Sequence, residues 1–174
     1  MTPELSRPVR IDTLGTAPRT VELTADAVES AALAARFGLV ALHHIEASAE
    51  VTREGDAVIA VGRLRADATQ ACVASGEPLP ARIDEPFALR FTPEREGGPD
   101  EIELDATDLD ELTYSGGSVD LGEAVAQTLG LALDPFPRSP QADQALRAAG
   151  VVGEEEAGPF GALKALKDRL SAPD

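Results

Sequence analysis

The stretch V40-A-L-H-H-I-E-A-S-A-E-V-T-R-E-G-D-A-V-I-A-V-G-R-L64 decides the fold. Two runs of alternating apolar and polar residues flank Glu54-Gly55-Asp56, and glycine there supplies the positive φ of a tight reversal. The pattern is a β-hairpin. Strand periodicity continues on both sides: Val21 and Leu23 lie upstream, with Val9 and Ile11 in an extended arm before them. Downstream, two extended pieces around Ala81–Ile83 and Phe87–Phe91 are broken by prolines that suit strand ends or edges. "EIELD" places Ile102 and Leu104 on one face and Glu101, Glu103 and Asp105 on the other. An antiparallel sheet of four or more strands follows, either open or curled into a partly closed barrel.

Helices cover it. Thr24 is a candidate N-cap with Asp26 in the first turn, Val28, Ala31, Ala32 and Ala35 form a stripe, and Gly38 stops the helix, which spans about 25–37. "TDLDEL" reads as one helical turn. Asp120 caps a second helix over 121–132, with Glu123 at capping-box spacing and Leu121, Ala124, Val125, Thr128, Leu129 and Ala132 on one side. It ends before Pro135. The fold class is α+β over residues 1–137, then a linker over 138–158 holding a short helix in 141–149, then a C-terminal helix over 159–171 with Phe160, Leu163, Leu166 and Leu170 on one face.

Composition limits the function. The chain has 174 residues, enough for one full domain, and 3% aromatics, so its core rests on Ala, Leu and Val. Its formal net charge is -16. Such a field repels a phosphate backbone and an anionic membrane alike, and it favours a basic protein as partner. The start carries no apolar leader and no stretch reaches membrane-span length, so a cytoplasmic protein is expected. The lone Cys72 suits a reducing compartment.

Enzyme chemistry finds no motif. Cys72 would need a nearby base, and in a regular strand His43 and His44 point to opposite faces, so at most one approaches it and the pair cannot chelate a metal. No phosphate-binding loop, nucleophile elbow or dinucleotide fingerprint occurs. An EF-hand started at Asp105 would have Asp110 at the glycine position and Gly116 at the glutamate position. No catalytic residue, metal or cofactor is expected.

The acids stand out by position. Between Arg95 and Arg138 there is no basic residue and there are 11 acidic ones. This is either a solvated face or a docking surface for a basic partner. The candidate contacts are Glu101, Glu103, Asp105, Asp108, Asp110 and Glu111, with Tyr114 as an aromatic handle that could equally belong to the core. The rival is direct RNA binding through Arg63, Arg65, Arg82 and Arg90.

Three segments together resemble the YceD family, the bacterial large ribosomal RNA subunit accumulation protein. They are "GRLRADATQACVASGEPLPARIDEPFALRF", "DELTYSGGSVDLGEAVAQTLGLALDPFPRSP" and "PFGALKALK". The middle one is the most specific, and the N-terminal "ELSRPVRID" and "FGLVAL" look like the alphaproteobacterial-type branch. Many members carry a second cysteine three residues before the one matching Cys72, with arginine between; here Thr69 and Ala71 stand in those places, so a metal or redox role for such cysteines does not extend to this chain. The resemblance implies a non-enzymatic part in large-subunit ribosomal RNA accumulation and large-subunit assembly. Charge implies contact with a basic ribosomal protein or assembly factor, with pre-ribosomal RNA reached indirectly and DNA and membrane excluded.

Overall fold

A computed structural model describes residues 3–94 and 109–151. The deciding stretch folds into β3 (Ala41–Glu54) and β4 (Ala57–Ala71), antiparallel and joined through Gly55-Asp56, with Gly55 at φ 63°. Ile45, Ala47, Ala49 and Val51 of β3 face inward, as do Val58, Ala60, Leu64, Ala66 and Ala68 of β4. Leu42 is buried too, three residues before Ile45, which strict alternation forbids. A β-bulge between Leu42 and His44 absorbs the extra residue. His43 and His44 are consequently both exposed, contrary to the opposite-face expectation: His43 hydrogen-bonds Thr69 Oγ1 at 2.9 Å and His44 Nε2 lies 3.2 Å from Glu46.

The main sheet has the order β2-β3-β4-β5-β6, with β2 at Arg19–Thr24, β5 at Pro78–Pro93 and β6 at Asp110–Tyr114. It is mixed rather than wholly antiparallel, and among the described residues it does not close into a barrel: β6 runs parallel to β5, with Phe91 opposite Leu112. Parallel neighbours need a crossover of about a dozen residues or more, and residues 94–109 supply that length. The same pairing makes Asp110–Leu112 strand where a helical turn was expected. The two extended pieces expected near Ala81 and Phe87 are one strand. Pro80 and Pro86 fit within it because β6 joins only from Leu89 onward, so before that point one edge of β5 meets no described strand. A separate antiparallel ribbon pairs β1 (Pro8–Arg10) with β7 (Ser118–Asp120).

Helix α1 (Ala27–Arg36) is capped by Asp26, not Thr24: the Asp26 carboxylate accepts from the N–H groups of Val28 and Glu29, and Glu29 returns a bond to the Asp26 N–H. Its buried face is Ser30, Leu33 and Ala34, with Phe37 beyond, whereas Val28 of the expected stripe is 78% exposed. Alanine is nearly neutral to burial, so Leu33 and Phe37, each with far more apolar area, choose the face. Helix α2 (Leu121–Ala132) is capped by Asp120 and buries Leu121, Ala124, Val125 and Leu129 as expected. Gly122 lets the N-terminal arm close on it: a Cβ there would stand 2.8 Å from Leu5 O and from Arg7 N. These faces and the inward side of the sheet form one hydrophobic cluster, completing an α+β fold.

The chain divides into two units. The first holds residues 1–70 and 80–135; the second holds 71–79 and 136–174. Described parts of the second include α3 (Ala142–Ala148) and the turn at Cys72. There the Cys72 N–H donates to Glu77 O at 2.8 Å and the Val73 N–H to Pro137 O at 2.9 Å. The strand expected at 101–105, the helix at 159–171 and the linker beyond Val151 lie outside the described residues. No helix among the described residues is long and apolar enough to cross a membrane.

Candidate functional site

Six carboxylates and Tyr114 are the expected contact set. Glu101, Glu103, Asp105 and Asp108 lie outside the described residues. Asp110 and Glu111 open β6 and are both exposed; in register Asp110 stands beside Leu89 and Glu111 beside Arg90. Tyr114 ends the strand, half-buried against the core, and its hydroxyl donates to the Asp56 carbonyl at 2.7 Å. It ties β6 to the hairpin turn. Its ring also lines an open cavity of about 530 Å³ with Arg10, Arg53 and Gly116-Gly117. Asp110 and Tyr114 are therefore at opposite ends of one strand, roughly 13 Å apart along its length.

Two other acids of the acid-rich stretch serve the fold. Asp120 accepts from Ser6 Oγ at 2.6 Å, from the Arg7 N–H at 2.8 Å and from the N–H groups of Gly122 and Glu123, so one carboxylate caps α2 and clamps the N-terminal arm. Glu123 does not close a capping box. Instead it takes both terminal amines of Arg36, at 2.9 and 2.8 Å, and Arg36 also reaches Glu4. That contact with Arg36 holds the Glu123 carboxyl below its usual range. Across the helix start, Arg7 grips Glu29 in a two-pronged pair at 2.7 and 2.8 Å. The Arg7 guanidinium, followed by the Asp26 N–H, pushes the Glu29 carboxyl down to about 2.

The arginines of the rival reading occupy the outward side of β4 and β5, where carboxylates answer them. Arg63 hydrogen-bonds Asp84; Arg65 lies 3.7 Å from Glu46 and 3.6 Å from Asp84; Arg82 lies 3.5 Å from Asp67. Asp84 is held below the ordinary aspartate range by its bond from Arg63, with Arg65 adding to the effect. Exposed pairs of this kind add little to stability, because water screens them. Their consequence is that this face carries little net charge. Arg90 is half-buried beside Glu111 in the β5–β6 register.

At the other side of β5 the lining changes. An open groove of about 450 Å³ lies among the β5 edge, the start of β6 and the last turn of α2, and it includes Glu85, Asp110, Val61 and Leu131. Sequence reasoning missed Glu85, Val61 and Leu131. One signal for them existed: Leu131 falls off the apolar stripe of α2, where a large apolar residue has no core to enter.

In the second unit the Cys72 thiol is 3% exposed, with Ser139 N–H donating to Sγ at 3.2 Å. The Ser75 hydroxyl and then that N–H stabilise the thiolate and bring the thiol down to about 6. Its unit contains no histidine among the described residues to act as base. Among the described residues no three His, Cys, Asp or Glu side chains are placed to hold a metal ion.

Comparison with known proteins yields one family. The model of "Large ribosomal RNA subunit accumulation protein YceD" matches residues 60–167. No significant match was found among curated proteins or among solved structures. The matched region takes in most of β4, all of β5 and β6, the residues lining the groove and the whole acid-rich stretch, and on that coverage the chain belongs to the YceD family, whose role is in the accumulation of large-subunit ribosomal RNA.

Proposed function

We propose that this chain is a non-enzymatic cytoplasmic factor that supports large ribosomal subunit assembly by holding a basic ribosomal protein or assembly factor on an acidic surface. Glu101, Glu103, Asp105, Asp108, Asp110 and Glu111 form the core of that surface. One observation carries the choice: Arg63, Arg65 and Arg82 each have a carboxylate within 4 Å, while Asp110 has no cation partner among the described residues. RNA binding by those arginines would require displacing Asp84, Glu46 and Asp67 and overcoming a net charge of -16. A cationic protein meets neither obstacle, and its arrival is accelerated by the same field.

Affinity purification from lysate at low and high salt, followed by mass spectrometry, tests this. Basic ribosomal proteins or assembly factors should be retained at low salt, released at high salt, and lost when the six acids are replaced by lysine. Retention indifferent to salt or to those replacements removes the proposal. Filter binding of ribosomal RNA fragments at moderate salt, abolished by Arg63→Gln and Arg65→Gln, would establish the RNA reading in its place.

A further inference from the structure

The groove beside β5 brings two exposed apolar side chains together. Leu131 is 84% exposed and Val61 51% exposed, and both line the same concavity, floored by the buried ring of Phe87. Its shape has a local cause. Gly62 has no side chain, and a Cβ there would sit 2.7 Å from Phe87 Cζ, so only glycine lets the ring approach the β4 backbone this closely. Because β6 pairs with β5 only from Leu89, the Glu85–Ala88 edge contributes no strand partner to fill that space among the described residues. Among the described residues the charged lining is Glu85 and Asp110, with no cation.

We infer that this groove docks an amphipathic segment of the basic partner, with apolar side chains on Val61 and Leu131 and lysine or arginine beside Glu85 and Asp110. The inference deepens the function proposed above and rests on it. Single exposed apolar residues are ordinary; two that share a concavity with two carboxylates offer both halves of an amphipathic ligand's requirement. RNA brings phosphates to those carboxylates, and a second copy of this chain brings like charges, so both are disfavoured.

The probe is a fluorescent peptide of about 14 residues, four helical turns, built of leucine and lysine with an apolar stripe; the control has the same composition scrambled. Anisotropy titrations use the full chain. The patterned peptide should bind about tenfold tighter than the scrambled one, and Leu131→Ser should remove about that factor, the amount that losing one buried leucine predicts. Glu85→Gln with Asp110→Asn should weaken the patterned peptide severalfold at low salt and leave it unchanged at high salt. Leu131, Glu85 and Asp110 are exposed, so melting curves of these variants should overlay the parent.

Equal binding of the two peptides, or no effect of Leu131→Ser, overturns the groove while the basic-partner reading survives. Absence of salt-sensitive binding by either peptide overturns both. A concentration-dependent dimer abolished by Leu131→Ser assigns the groove to a second copy and also overturns the inference.

Discussion

The outward side of β4 and β5 and the groove on the far edge of β5 are built from neighbouring residues of the same strands, yet they handle charge in opposite ways. On the first, Arg63, Arg65 and Arg82 interleave with Asp84, Glu46 and Asp67. In the second, Glu85 and Asp110 flank apolar side chains with no cation in the lining among the described residues. Adjacent residues diverge: Asp84 is bonded to Arg63 and lies 3.6 Å from Arg65, while Glu85 lines the groove and acts on Arg63 through its charge without a bond. The lesson is that a net charge of -16 is not spread evenly. Pairing removes it from one surface and leaves it unanswered by any cation in the described lining of the groove.

The largest way to break this contrast is to remove the backbone both regions share. Gly62→Val would drive a Cβ to 2.3 Å from Ser48 O and 2.8 Å from Ala49 Cα, neighbours on β3 that cannot yield cheaply. Overpacking of that kind costs about 3 kcal/mol, or roughly 6–12 °C in Tm for a chain of this size. A thermal melt checks it, and an unchanged Tm would mean that the sheet is looser here than the distances require.

Asp120→Ala separates acids that hold the fold from acids on display. It removes the cap of α2 and the bonds from Ser6 and Arg7, for a loss of about 2 kcal/mol by denaturant titration. Asp110→Ala, in the same acid-rich stretch, should change stability by less than about 0.5 kcal/mol.

The Arg7–Glu29 pair sharpens the comparison through pH. The folded carboxyl titrates at about 2 against an ordinary value of 4.5, so its stabilisation is complete above 4.5 and is lost as pH falls from there towards 2. Glu29→Gln should flatten the stability curve over that window. An equally steep acid limb in the variant would assign it to other groups.

Asp84→Asn should leave stability nearly unchanged, because water screens an exposed pair. Its value is in binding: with Arg63 and Arg65 released from Asp84, retention of ribosomal RNA fragments should rise at low salt. No rise would show that pairing is not what keeps this face from RNA.

The hairpin was legible because two-residue periodicity and one glycine are local signals, and α2 because Asp120 and its leucines agree. The face of α1 was misread because alanines at helical spacing look like a stripe, although Leu33 and Phe37 carry the apolar area. The exposure of both histidines needed the bulge, whose only trace is the three-residue step from Leu42 to Ile45. Direct reading of "TDLDEL" could not find β6, since its strand character comes from pairing with Phe91 and its neighbours, not from its own composition.

By itself the amino-acid order determined the α+β class, the hairpin, the helix over 121–132 and the acidic balance, which depend on local periodicity or on totals, and the family, which particular segments carry. Only tertiary structure decided which carboxylates are answered by arginines, that β6 runs parallel, and that Val61, Glu85, Asp110 and Leu131 line one groove. Those facts depend on residues far apart in the chain meeting in space, and electrostatic and apolar energies act over ångströms, whatever the separation along the sequence.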